Sequence, residues 1–514
     1  MAAFTHVPST KQVAIFDWFA HIEIGKPKHL VVRARAGTGK TSTICAALAY
    51  VPKGVSVLVC AFGKDIQLEL ARRLADTPAV DVRTIHSLGL ATVKRFWPDV
   101  KVDFKTNDRE TDLAERACGS RAPDAIKKLV AKLCTKGRLT APHAQVADDL
   151  VNVAIEFECT PDEQWERDGF GLDYVCQKAL DAMVLAASEK PVRTGIDGAD
   201  MLYLPVRNGW LRKTYDVGVV DEGQDMNVCQ LEIVQGLTRN NFVTVGDDRQ
   251  AIYAFAGADS GSLDRLKRQM QADELPLNVT YRCGKSIVRV AQGYVPDFEA
   301  GPDNDEGEIL ELGVNLDGQP NGETLTGAAG PGDFILSRVN APLVSIAMKL
   351  LRAGKRTKIA GRDIGDGLVS LVRKLRGRSV PDFLAKVASW EAREVARLQP
   401  ALAKATNGRK RTIEQKIEGI HDKAEMLISL ADGAPSVDEI ESRISALFTD
   451  DGLGDKGLIV CSSVHKAKGK EADRVFILRD TLRSGGEEDN IAYVAVTRAK
   501  KTLVWVSDQN KTIQ

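Results

Sequence analysis

The run His29-Leu-Val-Val-Arg-Ala-Arg-Ala-Gly-Thr-Gly-Lys-Thr-Ser-Thr-Ile-Cys-Ala-Ala-Leu-Ala-Tyr50 decides how the rest of the chain is read. Leu30, Val31 and Val32 form a short apolar run of strand type, small residues follow, and then good helix formers. The pattern predicts strand, loop and helix. Ala34, Ala36, Gly37 and Gly39 let the backbone curl until its N–H groups face an anion. A helix opening at Lys40 adds the partial positive charge of its N-terminus. Lys40 supplies a point charge for β- and γ-phosphates, and the Thr41 hydroxyl is a short ligand for Mg²⁺. The nucleotide-binding set is therefore Ala36, Gly37, Thr38, Gly39, Lys40, Thr41 and Ser42. The generic loop pattern begins with Gly where this chain has Ala34, and an ordinary Gly-rich turn is the plainer alternative.

Composition bounds the rest. A chain of 514 residues is too long for one ordinary core, and roughly three or four domains are expected. Its 44% hydrophobic and 27% charged residues are those of a soluble globular protein. No apolar run is long enough to span a bilayer and no signal sequence opens the chain, so the expectation is no membrane. The 70 basic and 70 acidic residues balance, so any surface for nucleic acid must be local. The nine cysteines are odd in number and lack a C-x-x-C pair, which argues against disulfides or zinc. A reducing, cytoplasmic compartment is expected, with Cys45 and Cys60 as small buried hydrophobes.

Upstream, Ser9 to Phe19 reads as a helix with Ser9 as N-cap, and Gln12 is placed to complete a capping box. Gln12 is either that cap or an amide that bonds an adenine edge. Downstream, Ser56 to Phe62 and Val82 to Ile85 are buried strands, with a helix from Asp65 to Leu74 between them. Strands alternating with helices predict βαβ units and a parallel sheet, with ligands at the carboxyl ends of the strands. Phe62, Lys64, Thr84 and His86 fall at such ends, either as core residues or as a base-stacking platform with phosphate contacts.

From about 90 to 214 the strand pattern gives way to helices. Lys127, Lys128, Lys132, Lys136 and Arg138 make one basic region, either a solvated face or a DNA contact. The sheet resumes at Tyr215 and ends in Asp221-Glu222. Asp221 is suited to hold Mg²⁺ through water, and Glu222 to orient and deprotonate the water attacking a γ-phosphate. Asn241 to Gly246 is a further strand, followed by Gln250, placed to sense a phosphate. Tyr253 and Phe255, two apart, stack bases if the segment is extended, or pack in a core.

The series taken together resembles a superfamily 1 helicase of the UvrD/Rep type. The phosphate loop is Ala34 to Thr41, A-F-x-x-K is Ala61-Phe62-Gly63-Lys64 with one residue fewer, and T-x-H-S is Thr84 to Ser87. D-E-x-Q-D is Asp221 to Asp225, and G-D-x-x-Q-x-I-Y-x-F is Gly246 to Phe255. Leu277 to Arg282 resembles L-x-x-x-Y-R, Val464 to Glu471 resembles V-H-x-x-K-G-x-E, and Glu487 to Ala499 resembles E-E-x-x-x-x-Y-V-A-x-T-R-A. The chain departs from the pattern at Ala256, where the family has Arg, and at Lys470, where it has an apolar residue.

The resemblance implies an α/β fold of two RecA-like P-loop motor domains with parallel sheets, each carrying a mainly helical insertion. The first motor domain would be 1–89 and 215–276 with insertion 90–214. The second would be 277–362 and 456–514 with a reduced insertion 363–455, whose charges alternate as in solvated helices or a small coiled hairpin. It implies an ATP-dependent DNA helicase using Mg²⁺, moving 3′→5′ on single-stranded DNA and acting at single/double-strand junctions. Tyr281 would stack on adenine, Glu471 would bind ribose, and Gln250, Arg282 and Arg498 would reach the γ-phosphate. Phe62, Lys64, Thr84, His86, Tyr253, Phe255 and His465 would line the DNA path. The alternative is an ATP-driven translocase or remodelling factor with little unwinding. No appended nuclease is expected, and the compact size fits a phage or accessory enzyme.

Overall fold

A computed structural model describes residues 7–61, 63–77, 79–103, 108–157, 159–161, 163–191, 194–252, 262–314, 325–404, 407–449 and 457–508. Phe62, Tyr253 and Phe255 lie outside the described residues. The chain divides into two compact units. One is Met1–Arg35 with Gly39–Leu277, and the other is Asn278–Gln514 with Ala36–Thr38.

The first unit is built on a six-stranded sheet. Its strands are β1 (Lys28–Ala34), β2 (Val57–Ala61), β3 (Val80–Thr84), β4 (Tyr215–Val220), β5 (Thr238–Gly246) and β6 (Asp273–Leu277). They lie in the order β3-β2-β4-β5-β1-β6, and every pairing is parallel. Parallel sheets are covered on both faces, and β2 shows how. Val57, Val59 and Ala61 face a core shared with Ile15, Phe16 and Phe19 of the helix Thr10–Ala20. Leu58 and Cys60, on the opposite face, pack into a second core. That second core takes in Leu113, Ile126, Leu133, Val175, Met183 and Leu202 from the first insertion. The insertion is therefore continuous with the sheet's hydrophobic packing.

A buried ionic cluster ties the insertion's own helices together. Asp200 is fully buried and accepts from Arg138 Nη1 at 2.6 Å and from Arg109 Nε at 2.8 Å. Arg138 also bonds Asp197, the N-cap of the helix Gly198–Arg207. Arg138 thus leaves the basic region expected for it, while Lys128 and Lys132 on the same helix are exposed.

The second unit has a seven-stranded sheet and a two-stranded one. The small sheet is β7 (Val279–Thr280) with β8 (Glu299–Ala300). The large one comprises β9 (Glu308–Val314), β10 (Phe334–Ser337), β11 (Thr357–Ala360), β12 (Phe448–Thr449), β13 (Ile459–Ser463), β14 (Ala472–Leu478) and β15 (Ala499–Asp508). Its order is β12-β11-β13-β10-β14-β15-β9, again parallel throughout. The charge-alternating stretches form two helices, Val380–Lys404 and Asn407–Ala431. Phe383, Val387, Trp390, Leu427 and Leu430 from that pair join the core of the sheet through Ile335, Ile359 and Cys461. All nine cysteines are free and buried. Among the described residues no helix is long and apolar enough to cross a membrane.

Candidate active site

β4, β5 and β1 are neighbours, so the segments leaving their carboxyl ends emerge side by side. They carry Asp221 and Glu222 after β4, Asp247 and Gln250 after β5, and the phosphate loop after β1. Gly37 and Gly39 take φ of +67° and +74°, a left-handed backbone that a side chain would strain. Lys40 opens the helix Lys40–Ala47. Its side chain is 12% exposed, and its ammonium lies 3.0 Å from Glu222 Oε1. Burial works against its charge, but Glu222, Asp221 and Asp247 outweigh that and hold its pKa above the ordinary lysine range. Ser42, in the first turn, is exposed and accepts from Arg73.

Thr41 Oγ1 donates to Asp221 Oδ2 at 2.8 Å. Burial, then the neighbouring Glu222 charge, pushes the Asp221 carboxyl up. A hydroxyl and a carboxylate oxygen side by side, in a pocket of surplus negative charge, fit Mg²⁺. That ion takes one or two protein ligands and fills its octahedron with water and phosphate oxygens. No cluster of three or more His, Cys, Asp or Glu suited to a metal occurs among the described residues, and this mode of binding needs none.

Glu222 has φ +55°, a conformation that costs about 1 kcal/mol or more outside glycine. The turn is tight because a Cβ on the adjacent Gly223 would meet Thr244 Oγ1 at 1.9 Å. Glu222 Oε2 accepts from Gln224 Nε2 at 2.7 Å, and Gln224 Oε1 accepts from the Asp247 backbone at 3.1 Å. Asp247 Oδ2 accepts from Gln250 Nε2 at 2.6 Å. One chain of hydrogen bonds therefore runs from Glu222 to Gln250.

Gln12 takes up the capping alternative: Oε1 accepts from the Ser9 backbone at 2.9 Å, and Ser9 Oγ caps in return. Its Nε2 also donates to Thr43 Oγ1 at 3.0 Å, which holds the amide against the phosphate-loop helix. Thr84 is the N-cap of the helix Ile85–Phe96 and accepts from the Ser87 backbone at 3.2 Å. His86, in that first turn, is half-buried, and burial lowers its pKa. Lys64 is exposed at the start of the helix Lys64–Arg73.

In the second unit, Tyr281 and Arg282 follow β7. Arg282 Nε lies 2.5 Å from Glu471 Oε2, and Lys500 Nζ is 2.9 Å from Glu471 Oε1. Arg498 is 1% exposed, and Nε, Nη1 and Nη2 each donate one hydrogen bond, to the carbonyls of Val494 and Lys470 and to Thr497 Oγ1, which leaves two of its five N–H groups for a ligand. Burial, then the like charge of Arg282, lowers its pKa to about 10. His465 is the second residue of the helix Val464–Ala467 after β13, and Arg338 pairs in bidentate fashion with Glu488 at 3.0 and 3.1 Å. Burial, then the Arg338 charge, brings the His465 pKa down to about 4.

The profile of the UvrD/REP helicase N-terminal domain matches residues 20–271, and that of the UvrD-like helicase C-terminal domain matches residues 458–506. The chain belongs to the UvrD/Rep helicases. It is 27% identical over 291 residues to ATP-dependent DNA helicase Rep of Escherichia coli, covering 51% of this chain and 40% of that protein. A probable DNA helicase II homolog of Mycoplasma genitalium is 26% identical, again over 51% of this chain and 40% of the relative. F-box DNA helicase protein 1 of Schizosaccharomyces pombe is 23% identical over 92% of this chain and 55% of its own length. The chain thus spans less than half the length of Rep.

Three residues of this UvrD/Rep site carry no role in the sequence: Arg35, Gln224 and Asp247. The last two lie inside quoted motifs, and their burial at 0% is the feature that marks them. Arg35 has a different signal, a long cation in a loop of small residues.

Proposed function

We propose that the chain hydrolyses ATP with Mg²⁺, uses the cycle to move 3′→5′ on single-stranded DNA, and separates duplex strands at a junction in the cytoplasm. The observation that carries this is the convergence of Lys40, Thr41, Asp221, Glu222 and Gln250 at three adjacent strand ends. Residues 1–89 with 215–276 and 277–362 with 456–514 act as the two motor domains, and 90–214 and 363–455 as their insertions.

The triphosphate seats on Ala36 to Ser42, and Lys40 exchanges Glu222 for β- and γ-phosphate oxygens. The freed Glu222 carboxylate takes a proton from water as the water oxygen attacks the γ-phosphorus and the bond to the β–γ bridging oxygen breaks. Thr41 and Asp221 would hold Mg²⁺, which would supply positive charge to the β- and γ-phosphate oxygens. Gln250, Arg282 and Arg498 reach the γ-phosphate, Tyr281 stacks on adenine, and Glu471 accepts from ribose. Gln12 keeps a second Nε2 proton for the adenine edge. Phe62, Lys64, Thr84, His86, Tyr253, Phe255 and His465 contact the strand.

A second reading, an ATP-driven remodelling factor with little unwinding, draws on the second insertion, which is a helix pair packed into the core of its own unit. The test is ATPase with and without single-stranded DNA, then unwinding of duplexes with a 3′ or 5′ tail. Stimulation with unwinding from the 3′ tail alone supports the helicase. Stimulation without unwinding supports the remodelling factor, and no stimulation refutes both.

A further inference from the structure

Arg35 stands between Ala34 and Ala36, where a long side chain adds nothing to a cradle made of backbone N–H groups. Its guanidinium turns instead toward the end of β5. Nη1 lies 3.1 Å from Asp247 Oδ1 and 2.7 Å from Asp248 Oδ1. Arg35 is 7% exposed and Asp247 is fully buried. Asp248 is also engaged by Arg33 at 3.1 Å.

Strand cohesion does not call for this ion pair. β1 and β5 already run in register from Lys28↔Asn241 to Arg33↔Gly246, and Arg35 lies beyond the ladder. Buried ion pairs also contribute little stability relative to apolar residues of the same size. The geometry here is specific. Arg35 and, at 3.1 Å, the Arg249 backbone N–H both engage Oδ1 of Asp247, while Oδ2 accepts from Gln250 Nε2 at 2.6 Å. A carboxylate held at one oxygen cannot rotate away from the amide at the other.

We propose that Arg35 is a positioning residue that clamps Asp247, so that Gln250 presents its amide to the γ-phosphate in one orientation and the phosphate loop is joined to the sensing segment. This rests on the γ-phosphate role given to Gln250 above. The loop and the sensor then move as one body when the triphosphate is bound.

The test uses the full chain with Arg35→Gln, Arg35→Lys, Gln250→Ala and the double variant Arg35→Gln/Gln250→Ala. Steady-state ATPase, ATP binding and thermal melting are measured for each. Arg35→Gln is expected to lower the DNA-stimulated kcat by about 10–100-fold, the scale of a misplaced catalytic group, with ATP affinity unchanged. Arg35→Lys should recover part of the loss. The double variant should be no slower than Gln250→Ala, because the two residues act as one unit. Losses that multiply in the double variant, or a folded Arg35→Gln with the parent kcat, overturn the proposal. Should Arg35→Gln fail to fold, Arg35→Lys alone and combined with Gln250→Ala carries the same comparison. A Gln250→Ala variant with full kcat refutes the role of Gln250 itself, which is distinct from failure of Arg35 alone.

Discussion

Lys40 Nζ lies 3.0 Å from Glu222 Oε1, so the cation suited to phosphate and the carboxylate suited to water neutralise each other. A triphosphate that draws Lys40 away leaves Glu222 with more of its negative charge uncompensated, which favours proton abstraction. Glu222→Gln is expected to lower kcat by about 10²–10⁴-fold, the usual contribution of a general base. ATP should still bind, because Lys40 is intact. Lys40→Ala should abolish turnover in a folded chain. Nucleotide-binding isotherms beside steady-state ATPase check both, and DNA-stimulated hydrolysis retained by Lys40→Ala would sink the assignment of the loop.

Thr41→Val keeps the shape of the side chain and removes the hydroxyl that donates to Asp221 at 2.8 Å. The Mg²⁺ concentration for half-maximal ATPase should rise on the order of tenfold, as for loss of one polar contact at a metal site. Titration of Mg²⁺ at saturating ATP measures it. An unchanged midpoint would remove Thr41 from the metal's surroundings.

The helix Ile85–Phe96 meets the helix Gly198–Arg207 at Gly89, where an added Cβ would stand 2.0 Å from the Met201 carbonyl oxygen. A backbone atom cannot swing aside as a side chain does. Gly89→Ala is expected to destabilise the first unit by about 1–3 kcal/mol, the range for overpacking a core. Urea denaturation followed by circular dichroism reports it as a lower midpoint.

His465 titrates near 4 in the folded chain, against about 6.5 unfolded. As pH falls, the unfolded chain takes the proton first. The neutral imidazole's contribution is therefore fully present above about pH 6.5 and is lost on descent toward about pH 4. The urea midpoint should drop between pH 7 and pH 5, and His465→Asn should drop less over the same interval. Equal drops would mean that other groups govern the acid limb.

The strand, loop and helix around Lys40 were legible because small residues, a Lys-Thr pair and flanking propensity agree locally. The Ser9–Gln12 capping box was legible for the same reason and forms in full. What covers each amphipathic helix was not, since periodicity names a buried face without naming its partner. The basic region shows the limit on one helix. Lys128 and Lys132, one turn apart, share an exposed face, whereas Arg138 lies on another face and is buried against Asp197 and Asp200. Arg35 escaped because its partner Asp247 is 212 residues away in sequence. Motif patterns also direct attention to the backbone of that loop rather than to its one long side chain.

Leu58 and Cys60 of β2 lie in the same hydrophobic cluster as Leu113, Leu133 and Met183 of the first insertion. A motor domain with residues 90–214 excised would lose most of the residues of that cluster and is expected to aggregate through the apolar face left behind. In amide exchange the sheet and the insertion should open together as one cooperative foldon. For anyone shortening this protein, the insertion is half of a core and cannot be trimmed like a loop.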